Sequence, residues 1–112
     1  MIRRVIILMG IYTLMLSSTA RAEAGWTDEV KIIELISTSR HYFELHLAGK
    51  KNPSGCREEG WFYINYDARG ADKMFDLFVD SIKTELQLRI YVTGVCNLKG
   101  YAEISSVSAG PK

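Results

Sequence analysis

The side chains best suited to chemistry in this 112-residue chain are two cysteines and two histidines, Cys56, Cys96, His41 and His46. Together they could bind zinc, and a cysteine beside a histidine could act as a nucleophile. The histidines are an odd number of residues apart, so on one strand they would point to opposite faces and could not converge on a metal. A Cys/His pair would require free thiols. The sequence therefore predicts no metal site and no catalytic cysteine.

The remaining candidates for acid/base chemistry are carboxylates. Glu58 and Glu59 are adjacent, so their side chains diverge in an extended loop and make a poor catalytic pair. Glu44 and His46 share a strand face and could hydrogen-bond, but such a pair is typical of a solvated surface. The chain also lacks the Gly-x-Ser-x-Gly motif of serine hydrolases. We predict that the protein is not an enzyme and needs no cofactor.

Aromatic side chains offer a different chemistry, the stacking of rings against a ligand. Tyr42, Trp61, Tyr63 and Tyr91 alternate with apolar residues, so each is predicted to point away from the core. Exposed together, they would form a platform for sugar or base stacking, or a subunit interface. The alternative is that they only cover the outer surface without a ligand. We take these four residues as the candidate ligand or interface face.

Five short segments have the composition and alternation of β-strands. They are residues 30–36, 42–47, 61–67, 88–93 and 101–107. One amphipathic pattern, residues 71–84, predicts a helix between the third and fourth strands. Residues 23–28 resemble a polar lead-in, in which Trp26 would close one end of the core.

This order of strands and helix is the layout of an OB-fold, a Greek-key barrel whose helix plugs one end. The sequence therefore predicts a mainly β protein, a five-stranded OB-fold-like barrel with one helix between strands 3 and 4, after an N-terminal signal helix. A barrel would also protect the strand edges that an open sheet leaves unpaired. An open α+β sheet with the helix across one face is the alternative.

The first 22 residues have the form of an export signal. Arg3 and Arg4 precede an apolar run, residues 5–16, and small residues follow up to Ala22. The run is too short to span a bilayer, which takes about 20 apolar residues. We predict cleavage after Ala22, or alternatively after Ala24. The remaining residues, 23–112, are expected to form a single periplasmic or secreted domain with no stable membrane anchor.

Charge argues against two classes of partner. Residues 1–22 hold three of the 14 basic residues and none of the 13 acidic ones, so the remainder carries 11 basic and 13 acidic residues, net −2. Nucleic acids and anionic membranes attract proteins with a concentrated positive charge. We therefore expect neither partner.

In an oxidising compartment the two cysteines are predicted to form a disulfide. A domain of about 90 residues has a modest core, so a covalent link would matter. By the chain-entropy model, closing the loop between Cys56 and Cys96 would contribute roughly 3 to 4 kcal/mol. Two free thiols or metal ligands are the alternative.

Several short motifs resemble a known family. They are Trp26-Thr27, Asn52-Pro53-Ser54-Gly55-Cys56, Lys73-Met74-Phe75, Arg89-Ile90-Tyr91-Val92-Thr93-Gly94 and Cys96. Together they are similar to the cell-binding B subunit of subtilase-type AB5 toxins. The resemblance implies an OB-fold, a ring of identical subunits and glycan binding. It assigns no binding residues, because no position here matches the family's sugar-contacting residues, and the family does not pair its cysteines in this pattern.

The leading functional hypothesis is an exported, non-enzymatic binding module for a glycan or protein, similar to a toxin B subunit and able to form a ring. The alternative is a small periplasmic inhibitor or envelope-stress protein that binds a partner protein. In that case residues 49–60, a loop rich in glycine and charged residues, would be the inserting element.

Overall fold

The computed structural model of the chain describes residues 23–49 and 52–111. The predicted signal peptide and its helix, residues 1–22, lie outside the described residues. The elements are β1 (Gly25–Trp26), β2 (Lys31–Ser37), β3 (Tyr42–Ala48), β4 (Trp61–Asn65), α1 (Ala71–Thr84), β5 (Gln87–Val92) and β6 (Ala102–Gly110). The prediction of a mainly β protein with a helix after the Trp61 strand is confirmed.

The strands form one six-stranded sheet in the order β1-β5-β6-β4-β3-β2. Only the β4–β6 pair is parallel among the described strands; the other neighbours are antiparallel. The two end strands of this order, β1 and β2, follow one another in the chain, and Val30 between them forms a bridge with Leu88 of β5. The sheet therefore curves until its first and last strands meet.

The predicted number of five strands is wrong, because the N-terminal strand is divided into β1 and β2. Between them, the Thr27 N–H donates to the Ile90 carbonyl and the Val30 N–H to the Leu88 carbonyl. The Thr27 hydroxyl accepts the Ile90 N–H, at 3.2 Å. The Thr27 hydroxyl thus accepts a hydrogen bond that a backbone carbonyl would accept in regular strand pairing. The predicted polar lead-in, residues 23–28, therefore contains a two-residue strand that pairs with β5.

The core lies on the inner face of the sheet, where the predicted alternation places it. Phe43 and Leu45 of β3, Ile64 of β4 and Ile90 of β5 are fully buried. Helix α1 closes this core with Phe78, whose ring lies 6.2 Å from that of Phe43. Within the described residues there is no helix of the length and apolarity that crossing a membrane requires.

Helix α1 matches its predicted bounds because sequence signals mark both ends. Gly70 precedes it in a left-handed conformation with φ 81°, which glycine adopts at little cost. Asp72 in the first turn and Lys83 in the last suit the helix dipole.

The predicted core residue Trp26, by contrast, is 44% exposed and lies on the outer face of β1. It does not close the core.

Candidate functional site

The four aromatic residues predicted to form one exposed face do not share an exposed surface. Tyr42 and Tyr63 are buried, at 8% and 3% exposure. Trp61 and Tyr91 are half-buried and belong to two different ring clusters. None of the four belongs to the cluster of buried core residues. The burial of Tyr42 and Tyr63 contradicts a common exposed face of all four residues.

The residues between β5 and β6 cover Tyr42 and Tyr63. In this segment, Lys99 Nζ lies 3.0 Å from Glu44 Oε2 and 6.0 Å from the centre of the Tyr42 ring. The hydrogen bond to Glu44 raises the pKa of the Lys99 ammonium above its ordinary value. Glu44 is itself buried, so this pairing places its charge beside a cation. The β5–β6 connection is therefore fixed to the outer face of β3.

Burial raises the pKa values of two tyrosine hydroxyls in this region. The pKa of the Tyr63 hydroxyl is raised mainly by burial and further by the Glu103 carboxylate, while a backbone hydrogen bond from Asn97 acts in the opposite direction. The pKa of Tyr101 is raised for the same first reason, and the Glu44 carboxylate adds to it. Both phenols therefore stay neutral at ordinary pH.

The predicted disulfide, Cys56–Cys96, is present and holds this cover in place. Its Cα atoms are 5.6 Å apart, and it joins the loop before β4 to the β5–β6 connection. Arg57 Nη2 donates to the Lys99 carbonyl at 2.8 Å, and the Glu58 N–H donates to the Gly100 carbonyl. Cys56 lies within the cluster of buried core residues and Cys96 packs against it, so the disulfide connects this cover to the core. It is compatible with an oxidising, exported location.

Three rings form a continuous stack beside the covered residues. His46 and Trp61 face each other across β3 and β4; their ring centres are 4.3 Å apart and the planes differ by 5°. Tyr101 stacks against Trp61 at 5.3 Å and 22°. We call these residues the His46 stack.

The His46 stack adjoins a pocket of about 360 Å³. His46 lines this pocket together with two polar residues, Asn52 and Glu59, and the apolar residues Val30, Leu47 and Phe62. Its volume falls in the usual range for small-ligand pockets, about 300 to 1,000 Å³. Polar groups beside an apolar floor can bind a molecule that has both hydroxyl groups and apolar C–H surfaces. We call this the His46 pocket.

A second ring cluster lies on β1 and β5. Trp26 and Tyr91 are cross-strand partners, with ring centres 5.4 Å apart in an edge-to-face arrangement. The Arg89 guanidinium lies over the Trp26 ring, 5.3 Å from its centre. This cluster holds the last of the four predicted residues, Tyr91.

Sequence reasoning missed His46, Tyr101, Trp26 and Arg89 as members of these clusters. The signal for His46 was available, because alternation places it on the same face as Tyr42 and antiparallel pairing brings it opposite Trp61. Tyr101 requires knowing that β6 runs parallel to β4, which no local pattern reveals. Trp26 requires recognising a strand of two residues.

The Glu44, Glu58 and Glu59 carboxylates and the two histidines are not brought together as a catalytic group in the described part of the chain. Glu44 pairs with Lys99, and Glu58 with the exposed Arg57 at 3.2 Å. No three His, Cys, Asp or Glu side chains of residues 23–49 and 52–111 are grouped so that they could hold a metal ion.

Comparison with known proteins adds no relative. No protein-family description matches the chain, and neither a curated protein nor a solved structure is significantly similar to it. The molecule is thus defined by its own architecture, a mainly β protein with one curved six-stranded sheet and a single helix. The resemblance to AB5 toxin B subunits stays a prediction from short motifs.

Proposed function

We propose that this chain is an exported, non-enzymatic binding module of the OB-fold type, and that it binds a saccharide in the His46 pocket. The fold assignment is supported by the strand order. If β1 and β2 are counted as one interrupted strand, the sheet closes in the order 1-4-5-3-2-1, with a parallel 3–5 pair and the helix between strands 3 and 4. Five such strands and one helix make up an OB-fold barrel.

The observation that carries the ligand class is that one imidazole, His46, both lines the pocket and begins the ring stack. The stack fixes the ring plane, so a hydrogen bond from its edge has a defined direction. Asn52 and Glu59 supply further hydrogen-bonding groups, and Phe62 supplies an apolar surface. A saccharide combines hydroxyl groups with apolar ring faces and so suits this lining.

The proposal includes a periplasmic or secreted location and assembly into a ring. The disulfide supports the first, because such bonds persist in oxidising compartments. The second is supported by the part of β2 beyond the Val30–Leu88 bridge, which pairs only with β3 among the described strands and so leaves one edge unpaired for a second copy. Light scattering on the purified protein tests the ring, and a monomer at all concentrations would refute that part.

The experiment for the ligand is a glycan array followed by calorimetry on wild-type protein and two pocket variants, His46→Ala and Glu59→Gln. We expect a saccharide that binds the wild type and loses about tenfold or more in affinity with each variant, the effect of one hydrogen bond to a polar ligand. Tyr91→Ala, an aromatic change in the other cluster, is the matched control and should bind normally. A wild type that retains no saccharide, or a saccharide indifferent to both variants, would contradict the proposal.

The alternative function, inhibition of one partner enzyme through the loop at residues 49–60, receives less support. The described part of this loop is held against the sheet: Ser54 is fully buried and its hydroxyl accepts the Cys56 N–H at 3.1 Å. Charge reversal at Glu58 and Glu59 tests it, because an inhibitor that inserts this loop should lose its partner.

A further inference from the structure

The Trp26, Tyr91 and Arg89 side chains form a second surface, away from the His46 pocket, which we call the β1–β5 patch. Trp26 is 44% exposed, so almost half of a large apolar side chain faces solvent. Burying such a side chain is favourable, by roughly 25 cal/mol per Å² of apolar area removed from water. The patch therefore offers binding free energy that the folded chain itself leaves unused.

The patch is held rigidly. Gly25 and Trp26 pair with Val92 and Tyr91 of β5, and the Thr27 N–H donates to the Ile90 carbonyl at 2.8 Å. The edge-to-face contact with Tyr91 limits the rotation of the indole. A rigid aromatic side chain loses little conformational entropy on binding, which favours its use as an interface anchor.

The positive charge of the patch, on Arg89, is not paired with a carboxylate of the described residues. Arg89 is exposed, and its guanidinium instead lies over the face of Trp26. A guanidinium stacked in this way still has N–H donors arranged for a two-point contact with a carboxylate. The complementary partner therefore carries an acidic group next to an apolar one.

The shape of the patch favours a protein partner over a small molecule. Neither Trp26 nor Tyr91 borders any of the main pockets of the described surface, and Arg89 borders only a small one of about 160 Å³. Small ligands are usually bound in concave sites. Tryptophan, tyrosine and arginine are the residues most enriched at the energetic centres of protein interfaces. We propose that the β1–β5 patch is a docking surface for a protein segment in which an Asp or Glu lies beside an aliphatic or aromatic side chain.

The test uses a phage-displayed library of random 12-residue peptides. Protein expressed from the full-length sequence and purified with its disulfide intact is immobilised, and phage that bind a Trp26→Ala/Arg89→Glu double variant are removed first. We expect enriched peptides with an acidic residue next to an apolar one. Their synthetic forms should bind each single variant about 30-fold or more weakly, the effect of losing an interface hot spot.

Two matched controls separate the patch from general surface effects. Ile33→Ala removes another exposed apolar side chain, at 58% exposure, and Arg69→Glu reverses another exposed arginine. Both should bind the peptides within about twofold of wild type. His46→Ala should also bind them normally, so failure of the saccharide proposal and failure of this one are distinguishable.

Four results would overturn the inference. They are the absence of enriched peptides, peptides without an acidic residue, binding that tolerates Arg89→Glu, and a saccharide that loses affinity with Trp26→Ala. Sedimentation velocity covers a further occupant: if the wild type self-associates and Arg89→Glu is monomeric, a second copy occupies the patch and the proposed segment does not.

Discussion

Removing the disulfide by the double substitution Cys56→Ala/Cys96→Ala should lower the free energy of unfolding by roughly 3 to 4 kcal/mol. The bond joins residues 40 positions apart, and the chain-entropy model gives about this amount for a loop of that length. A domain of about 90 residues typically has a stability of about 5 to 13 kcal/mol. The variant should therefore remain folded, with a melting temperature lower by at least about 12 °C.

The effect should arise in the unfolded state, so the folded structure should change little. Without the bond, the β5–β6 connection is still fixed by the Arg57 contact with the Lys99 carbonyl and by the Lys99–Glu44 pair. Tyr42 and Tyr63 should therefore stay protected. Nitration by tetranitromethane, mapped by mass spectrometry, checks this, with the exposed Tyr66 as the internal control for reactivity.

Urea denaturation of the oxidised wild type and the double variant provides the stability measurement. A loss of less than about 1 kcal/mol would refute the reasoning, because it would mean that the unfolded loop is restricted by something other than the covalent link. Rapid nitration of Tyr42 and Tyr63 in the folded variant would refute the second step, because the remaining contacts would then be too weak to hold the cover.

Three further predictions concern the core, the covered tyrosines and a turn. Phe78→Ala should lower the free energy of unfolding by about 3 to 5 kcal/mol in urea denaturation, because Phe78 is fully buried. Ile82, in the same helix, is 49% exposed, so Ile82→Ala should change stability by less than about 1 kcal/mol. Equal losses would contradict the assignment of the buried helix face. The pKa of Tyr63 is raised in the folded state, so its contribution to stability is present below the ordinary pKa of 10.0 and is lost as pH rises through the folded pKa. The stability of Tyr63→Phe should therefore fall less steeply than that of the wild type above pH 10. Identical slopes would argue against a raised pKa. Gly60→Ala should lower the free energy of unfolding more than Gly70→Ala does. Both glycines have positive φ, but a Cβ at Gly60 would lie 3.3 Å from the Leu47 carbonyl oxygen, whereas one at Gly70 would meet nothing within 4 Å. The reverse order in urea denaturation would contradict this reasoning.

The sequence predicted those parts of the fold that depend on local periodicity. Phe43, Leu45 and Ile64 alternate with the aromatic residues that were predicted to point outward, and all three are fully buried. The helix was predicted with its observed bounds because its apolar spacing is regular and Gly70 precedes it. The two-residue strand β1 was missed because Gly25 and Trp26 are too short a segment to show alternation; long-range pairing with β5 alone defines it.

The candidate site was harder to predict, because alternation gives the direction of a side chain and says nothing of what covers it. Tyr42 and Tyr63 alternate with core residues, yet they are buried by residues about 30 to 60 positions away in sequence. The predicted Cys56–Cys96 disulfide could have indicated which residues cover these tyrosines. A disulfide between two loops brings both loops to one place, and the residues next to Cys96, such as Lys99, must then lie over the strands that follow Cys56.

The β5–β6 connection therefore determines which aromatic side chains can meet a partner. By lying over Tyr42 and Tyr63, it divides what would be one broad aromatic wall into two separate surfaces. On one side, the His46 stack leads into a concave pocket with polar groups. On the other, Trp26 and Arg89 lie on a wall without a deep cavity. Because a concave polar site and a flat aromatic one suit different chemical classes of ligand, a small molecule and a protein can be bound by the same domain without competing for one surface.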